Sequence, residues 1–163
     1  MTSGVKCSSE CTAVYLALKN KRVYRYIVFK VDRGHTEDIV PEFMNEDRAI
    51  EFTLSQKGVE VNNKTRSGVT SLISYLRDSS QNEPRYIVFN FAFVSEDRIQ
   101  EKVIFILWSP ESSSVKHKML YSSSKDALRK CVCNDITVDL HYDELEDLGW
   151  DSMLKDVKYQ LHL

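Results

Sequence analysis

Strand-like and helix-like segments alternate along the 163 residues, which predicts an α/β domain of the α+β sandwich type spanning residues 1–163, with about five strands in a central sheet and helices on both faces. Three observations carry this. The pieces Arg25-Tyr-Ile-Val-Phe-Lys30 and Arg85-Tyr-Ile-Val-Phe-Asn90 nearly repeat each other, and their centres, Ile27-Val28-Phe29 and Ile87-Val88-Phe89, lack polar alternation. Such runs belong to strands covered on both faces. A third run, Lys102 to Trp108, is the most apolar of all. Finally, apolar residues recur at helical spacing before, between and after these runs, and a chain that is 42% hydrophobic with only five glycines and three prolines has the material for a core.

The elements follow in order. Ser8 is placed to cap a helix running to Lys19, with Glu10 in its positive first turn and Cys11, Val14, Tyr15 and Leu18 as its apolar stripe. The basic turn Lys19-Asn20-Lys21-Arg22 ends it, and Tyr24 to Val31 reads as a strand. Residues 32–66 read as an irregular, extended loop region: Ala49 to Leu54 has strand character, whereas Pro41 and Val61-Asn62-Asn63-Lys64 read as loop. Val69, Leu72, Ile73 and Leu76 form a helical stripe, and Asn82-Glu83-Pro84 turns the chain into a strand from Arg85 to Val94. Ser109-Pro110 stops the strand that ends at Trp108, because proline removes a ladder donor. A helix over Val115 to Cys131 follows, with Val115, Met119, Leu120, Ser123, Ala127, Leu128 and Cys131 on or near one side. A short strand from Ile136 to Leu140, acidic turns around Asp143 to Asp147, and a helix from Trp150 to Tyr159 complete the chain.

Composition excludes several kinds of function. A net charge of -2 does not suit a protein that coats nucleic acid. No stretch reaches the roughly 20 apolar residues of a membrane span. The start, Met1 to Lys6, lacks the apolar run of a secretory signal, so a cytoplasmic protein with reduced cysteines is expected. Cys7 and Cys11 are one helical turn apart and Cys131 and Cys133 are separated by one residue; neither has common zinc-site spacing, so no metal is expected. The four histidines are scattered, and neither a phosphate-cradling glycine loop nor a Gly-x-Ser-x-Gly elbow is present. The acidic run Asp143, Glu144, Glu146 and Asp147 reads as an exposed turn. No catalytic residue and no cofactor are expected.

One segment says more. Residues 102 to 130 read as a hydrophobic strand, a Trp108-Ser109-Pro110 turn, then a helix with Lys116-x-Lys118-Met119, Tyr121-x-Ser123-Ser124-Lys125-Asp126-Ala127 and the basic end Arg129-Lys130. This closely resembles the signature of the ADF/cofilin family, without a gap over nearly the whole segment. Ser3-Gly4-Val5 resembles that family's N-terminal tripeptide. The resemblance implies an ADF-homology fold with a mixed sheet, and a non-enzymatic, monomeric protein of the cytoskeleton that binds actin monomers and filaments, depolymerising and severing the latter.

It also implies a site. Ser3, Gly4, Val5, Lys116, Lys118, Met119, Lys125, Asp126, Arg129 and Lys130 match positions that bind monomeric actin. Within this set the cations Lys116, Lys118, Lys125, Arg129 and Lys130 outweigh Asp126 in a chain that is acidic as a whole, which suits steering towards an acidic partner. Lys118, Lys125 and Arg129 fall on a broad common face. Ser3 matches a phosphorylation position, where a phosphoryl group adds about -1.5 to -2 charges. Lys116, Lys118, Lys125 and Arg129 are also placed to hold phosphoinositide phosphates. The filament site is implied at Arg98, Lys102, Lys155 and Lys158, but Ile99, Gln100 and Glu101 stand where the family carries basic residues, and Tyr159 stands where a base is frequent. Weak severing is therefore expected. A glia maturation factor-like adaptor of the branch-nucleating complex is the alternative on the same fold, and Lys116-x-Lys118-Met119 argues against it. A phosphoinositide-regulated adaptor is the other.

Overall fold

The computed structural model describes residues 4–32, 38–47, 58–80, 82–132 and 135–163. Five strands form one sheet in the order β2-β1-β3-β4-β5, with β1 Tyr26–Val31, β2 Ile39–Asn45, β3 Arg85–Ser95, β4 Arg98–Trp108 and β5 Val138–Tyr142. The β1–β2, β1–β3 and β3–β4 pairs are antiparallel and β4–β5 is parallel, so the sheet is mixed as expected. The parallel step requires a crossover, and helix α3 (Val115–Cys131) supplies it. Helices α1 (Ser9–Lys19) and α3 cover one face, whereas α2 (Gly58–Ser79) and α4 (Trp150–Leu161) cover the other.

The unalternating strands produce two cores back to back. Tyr26, Val28, Ile87, Phe89, Phe91, Ile104 and Ile106 meet Val69, Leu72 and Leu76 of α2 and Met153 and Val157 of α4. Ile27, Phe29, Tyr86, Val88, Phe105 and Leu107 meet Cys11, Tyr15 and Leu18 of α1 and Tyr121 and Leu128 of α3. Alternate residues of β1, β3 and β4 thus serve opposite cores.

Residues 32–66 depart most from the expected loop. Pro41 lies in β2, which is tolerated because β2 is the edge strand and its pairing slips between Phe43 and Pro41, a bulge where no ladder donor is needed. Helix α2 begins eleven residues before the Val69 stripe. Val61, Thr65, Gly68, Val69, Leu72 and Leu76 form one buried line at helical spacing, and Thr65 and Gly68 hide it from an apolar count. Asn62, which looks like a loop residue, accepts a hydrogen bond from the Val94 backbone N–H at 3.1 Å, occupying a donor on the stretch of β3 that β1 does not reach. The strand expected over Ala49 to Leu54 lies outside the described residues.

Element boundaries also move. β1 starts at Tyr26 rather than Tyr24, β4 extends back to Arg98 through a turn with positive φ at Glu96 and Asp97, and β5 shifts to Val138–Tyr142. Ser8 occupies the cap position of α1, but its backbone carbonyl accepts from the Cys11 N–H while its side chain makes no cap bond.

Candidate functional site

Helix α3 is oriented by three inward residues, Tyr121, Ser124 and Leu128. The Tyr121 hydroxyl accepts the Val31 backbone N–H at 2.9 Å, and the Tyr86 hydroxyl donates to the Tyr121 carbonyl. The tyrosine of the Tyr-x-Ser-Ser-Lys-Asp-Ala motif is thus a bolt between helix and sheet. With that face inward, 3.6-residue periodicity turns Val115, Met119, Asp126 and Lys130 outward in one ridge, with Lys116 on its shoulder. Exposure agrees: Val115 is 72% and Met119 67% exposed, and Lys116, Asp126 and Lys130 are all exposed. Val115 and Met119 therefore leave the apolar side on which the sequence places them.

The start of this helix is held by its turn. Ser109 and Glu111 donate backbone N–H groups to the Tyr142 and Asp143 carbonyls, and the Ser114 side chain accepts from the His117 N–H at 3.1 Å. No acid lies in the first turn; Lys116 and Lys118 stand instead near the positive end of the helix dipole, where cations are unfavourable. Stability alone would not select that arrangement.

Lys118, Lys125 and Arg129 do share a face, but it is the flank towards β5. There Asp139 receives Lys125 Nζ at 2.8 Å and Arg129 Nη1 at 2.6 Å, and Arg129 Nη2 donates to the Ile136 carbonyl. Both cations also lie over the Phe105 ring, at 5.6 and 5.3 Å from its centroid. Lys118 Nζ reaches the Glu111 carbonyl at 3.2 Å. Lys125 and Arg129, two of the five cations expected to face a partner, are therefore first partners of Asp139, a residue that the sequence motif does not mark.

Near the N-terminus, Gly4 is exposed with φ +78°, a conformation suited to glycine, and Val5 is buried among Ile39 and the α1/α3 core. Val5 thus anchors the segment to the core. Ser3 lies outside the described residues.

The other cluster divides between two elements. Arg98 is exposed at the β3–β4 turn, and Lys102 is exposed opposite Phe91, whose ring stacks on Trp150 at the start of α4. Arg66 of α2, which the sequence does not single out, sits over the Trp150 ring at 5.7 Å. Glu101 is turned to the other face and pairs with Arg22 at 2.8 Å, so its charge is committed within the molecule. On α4, Lys155 is exposed and Lys158 half-buried; they line a shallow groove with Asp151, Leu154, Tyr159 and Leu163. Tyr159, at 82% exposed, presents an aromatic ring to solvent.

The family model described as cofilin/tropomyosin-type actin-binding protein matches residues 4–158. The chain is 31% identical to a cofilin of Schizosaccharomyces pombe over 95% of this chain and 96% of that one. It is 33% identical to actin-depolymerizing factor 5 of Arabidopsis thaliana, over 92% of this chain and 90% of that one. Among solved structures, actin depolymerization factor 2 of Plasmodium berghei superposes with a TM-score of 0.74 at 28% identity, over 96% of this chain and 97% of that one.

Proposed function

The chain belongs to the cofilin/tropomyosin-type actin-binding family, the ADF/cofilin proteins, and from that membership we propose that it binds actin and depolymerises actin filaments. It works as a monomeric binding protein of the cytoplasmic actin cytoskeleton, without catalysis. The observation that carries the reading to residues is the outward ridge of α3. Val115 and Met119 expose apolar side chains one turn apart beside Lys116, at a helix start that carries no compensating acid. Flexible methionine suits an irregular groove, and the flanking lysine steers encounter with an acidic surface.

Within that reading, Lys116, Met119, Asp126 and Lys130 form the monomer-contacting ridge, while Lys118, Lys125 and Arg129 border it. Gly4 and a phosphorylatable Ser3 complete the proposed monomer-binding set. Filament contact falls to Arg98, Lys102, Lys155 and Lys158, joined by Arg66 and Tyr159, and severing is weak because Ile99, Gln100, Glu101 and Tyr159 stand where the family carries basic residues. Phosphoinositide phosphates compete for the same cations, with Asp139 as their internal rival.

Co-sedimentation with actin filaments tests this. Actin should move from pellet to supernatant as the protein is titrated, with little of the protein in the pellet. Substantial co-pelleting would assign a full filament site. Met119→Ala should lower monomer affinity by about tenfold, as an anchor at an interface centre does, while Tm stays put because the side chain is mostly exposed. If neither actin nor the variant responds, the assignment fails.

A further inference from the structure

We propose that Cys7 and Cys131 are a peroxide-oxidisable dithiol whose disulfide latches the N-terminal segment to the flank of α3. The segment before α1 crosses this flank: Cys7 bridges to Ile39, and its Sγ donates to the Ala127 carbonyl at 3.5 Å. Cys131 is the next residue along the same side of α3, one turn beyond Ala127. Helical side chains lean towards the N-terminus, so Cys131 leans back over the turn whose Ala127 carbonyl holds the Cys7 thiol, and Cys11 Sγ donates to the carbonyl of Ile39, the bridge partner of Cys7, at 3.2 Å. All three are free thiols, and they span the range of access: Cys131 is exposed, Cys7 half-buried and Cys11 buried.

The roles follow from access and proton sharing. Among the described sulfurs Cys131 is the most open to a soluble oxidant, and access rather than acidity singles it out, because partial burial pushes its thiol up. Contact with Cys11 and burial hold the Cys7 thiol protonated, whereas hydrogen bonds from Cys7 and Ser8 outweigh burial and draw Cys11 down to about 7. Cys11 is thus the local acceptor for the Cys7 proton. Hydrogen peroxide oxidises Cys131 to a sulfenic acid: the O–O bond breaks, an S–O bond forms and water leaves. Cys7 then attacks the Cys131 sulfur. The S–S bond forms, the S–O bond breaks, and hydroxide leaves as water with the proton Cys7 gave up. Two thiols are oxidised, one peroxide is reduced and two waters result. A thiol reductant reverses the step, as a bridge in a reducing compartment requires.

The latch would close a loop from residue 7 to residue 131, constraining the unfolded chain strongly. The test is peptide mapping of the whole chain after hydrogen peroxide and alkylation of remaining thiols, with Tm measured alongside. One intramolecular bridge between Cys7 and Cys131 is expected, with Tm raised by about 5 °C or more and restored by dithiothreitol. The bridge should persist in Cys133→Ser and Cys11→Ser and be absent from Cys131→Ser, an exposed site whose replacement leaves the fold intact. A bridge from Cys131 to Cys133 or from Cys7 to Cys11, dimers linked through Cys131, or over-oxidised Cys131 with Cys7 still free would each overturn the proposal. None of these readouts depends on actin.

Discussion

At the scale of single residues, the charges that count are those whose partners lie within the molecule. Asp139 draws Lys125 and Arg129 to the β5 flank, each pair partly buried. Asp139→Asn should cost about 1 kcal/mol of stability, because the pairs are partly solvated and the cations keep Phe105 and the Ile136 carbonyl. It should also tighten binding to anionic vesicles several-fold by freeing both cations, an opposite movement of two readouts that Tm and vesicle sedimentation can check. Glu42 offers a second test. Burial alone would raise its carboxyl, but hydrogen bonds from Arg85 and Tyr75 bring it below its ordinary 4.5. A depressed folded-state value means that the stabilisation is complete above 4.5 and is lost as pH falls through the lower folded value. The Tm advantage of the native chain over Glu42→Gln should therefore be constant near neutrality and shrink in acid below that point. A gap independent of pH would remove the ionic account.

At the scale of elements, α2 shows how a helix can be misjudged from its apolar residues alone. Gly68 lies where a Cβ would come within 2.9 Å of Arg25 Cγ and 3.2 Å of Phe89 Cζ. Both obstacles are buried, and the Arg25 stem cannot swing away into solvent. Gly68→Ala should accordingly destabilise by about 1–3 kcal/mol despite alanine's better helix propensity, as denaturant melts would show. Stabilisation would mean that Arg25 moves freely. The same close approach explains why the sequence reads only the C-terminal half of this helix. Glycine and threonine occupy its buried line where the sheet leaves no room for larger side chains, and Asn62 serves a neighbouring strand. Helix α3 was legible from end to end because Ser109-Pro110 punctuates its approach and the Lys116 to Lys130 motif runs through it without a gap, both local signals.

At the scale of the molecule, one sheet holds two cores, and neither can lose its shape without exposing the strands that serve the other. The whole of residues 1–163 should therefore unfold as a single domain in one cooperative transition. Far-UV circular dichroism and tryptophan fluorescence, which reports Trp108 and Trp150, should give coincident curves in urea. Two separated midpoints would argue that the α1/α3 layer and the α2/α4 layer are independent units.

What the sequence by itself determined is whatever depends on neighbours along the chain. The unalternating Ile27-Val28-Phe29 and Ile87-Val88-Phe89 runs specify strands covered on both sides, and the gapless run from Lys102 to Lys130 specifies both family and helix boundaries. Tertiary structure alone decided which side chains remain for a partner. Val5 went inward, Lys125 and Arg129 went to Asp139, Glu101 went to Arg22, and Val115 and Met119 came out. The physical reason is that helical spacing tells which residues share a side, while only packing against Tyr86 and Val31 tells which way that side points.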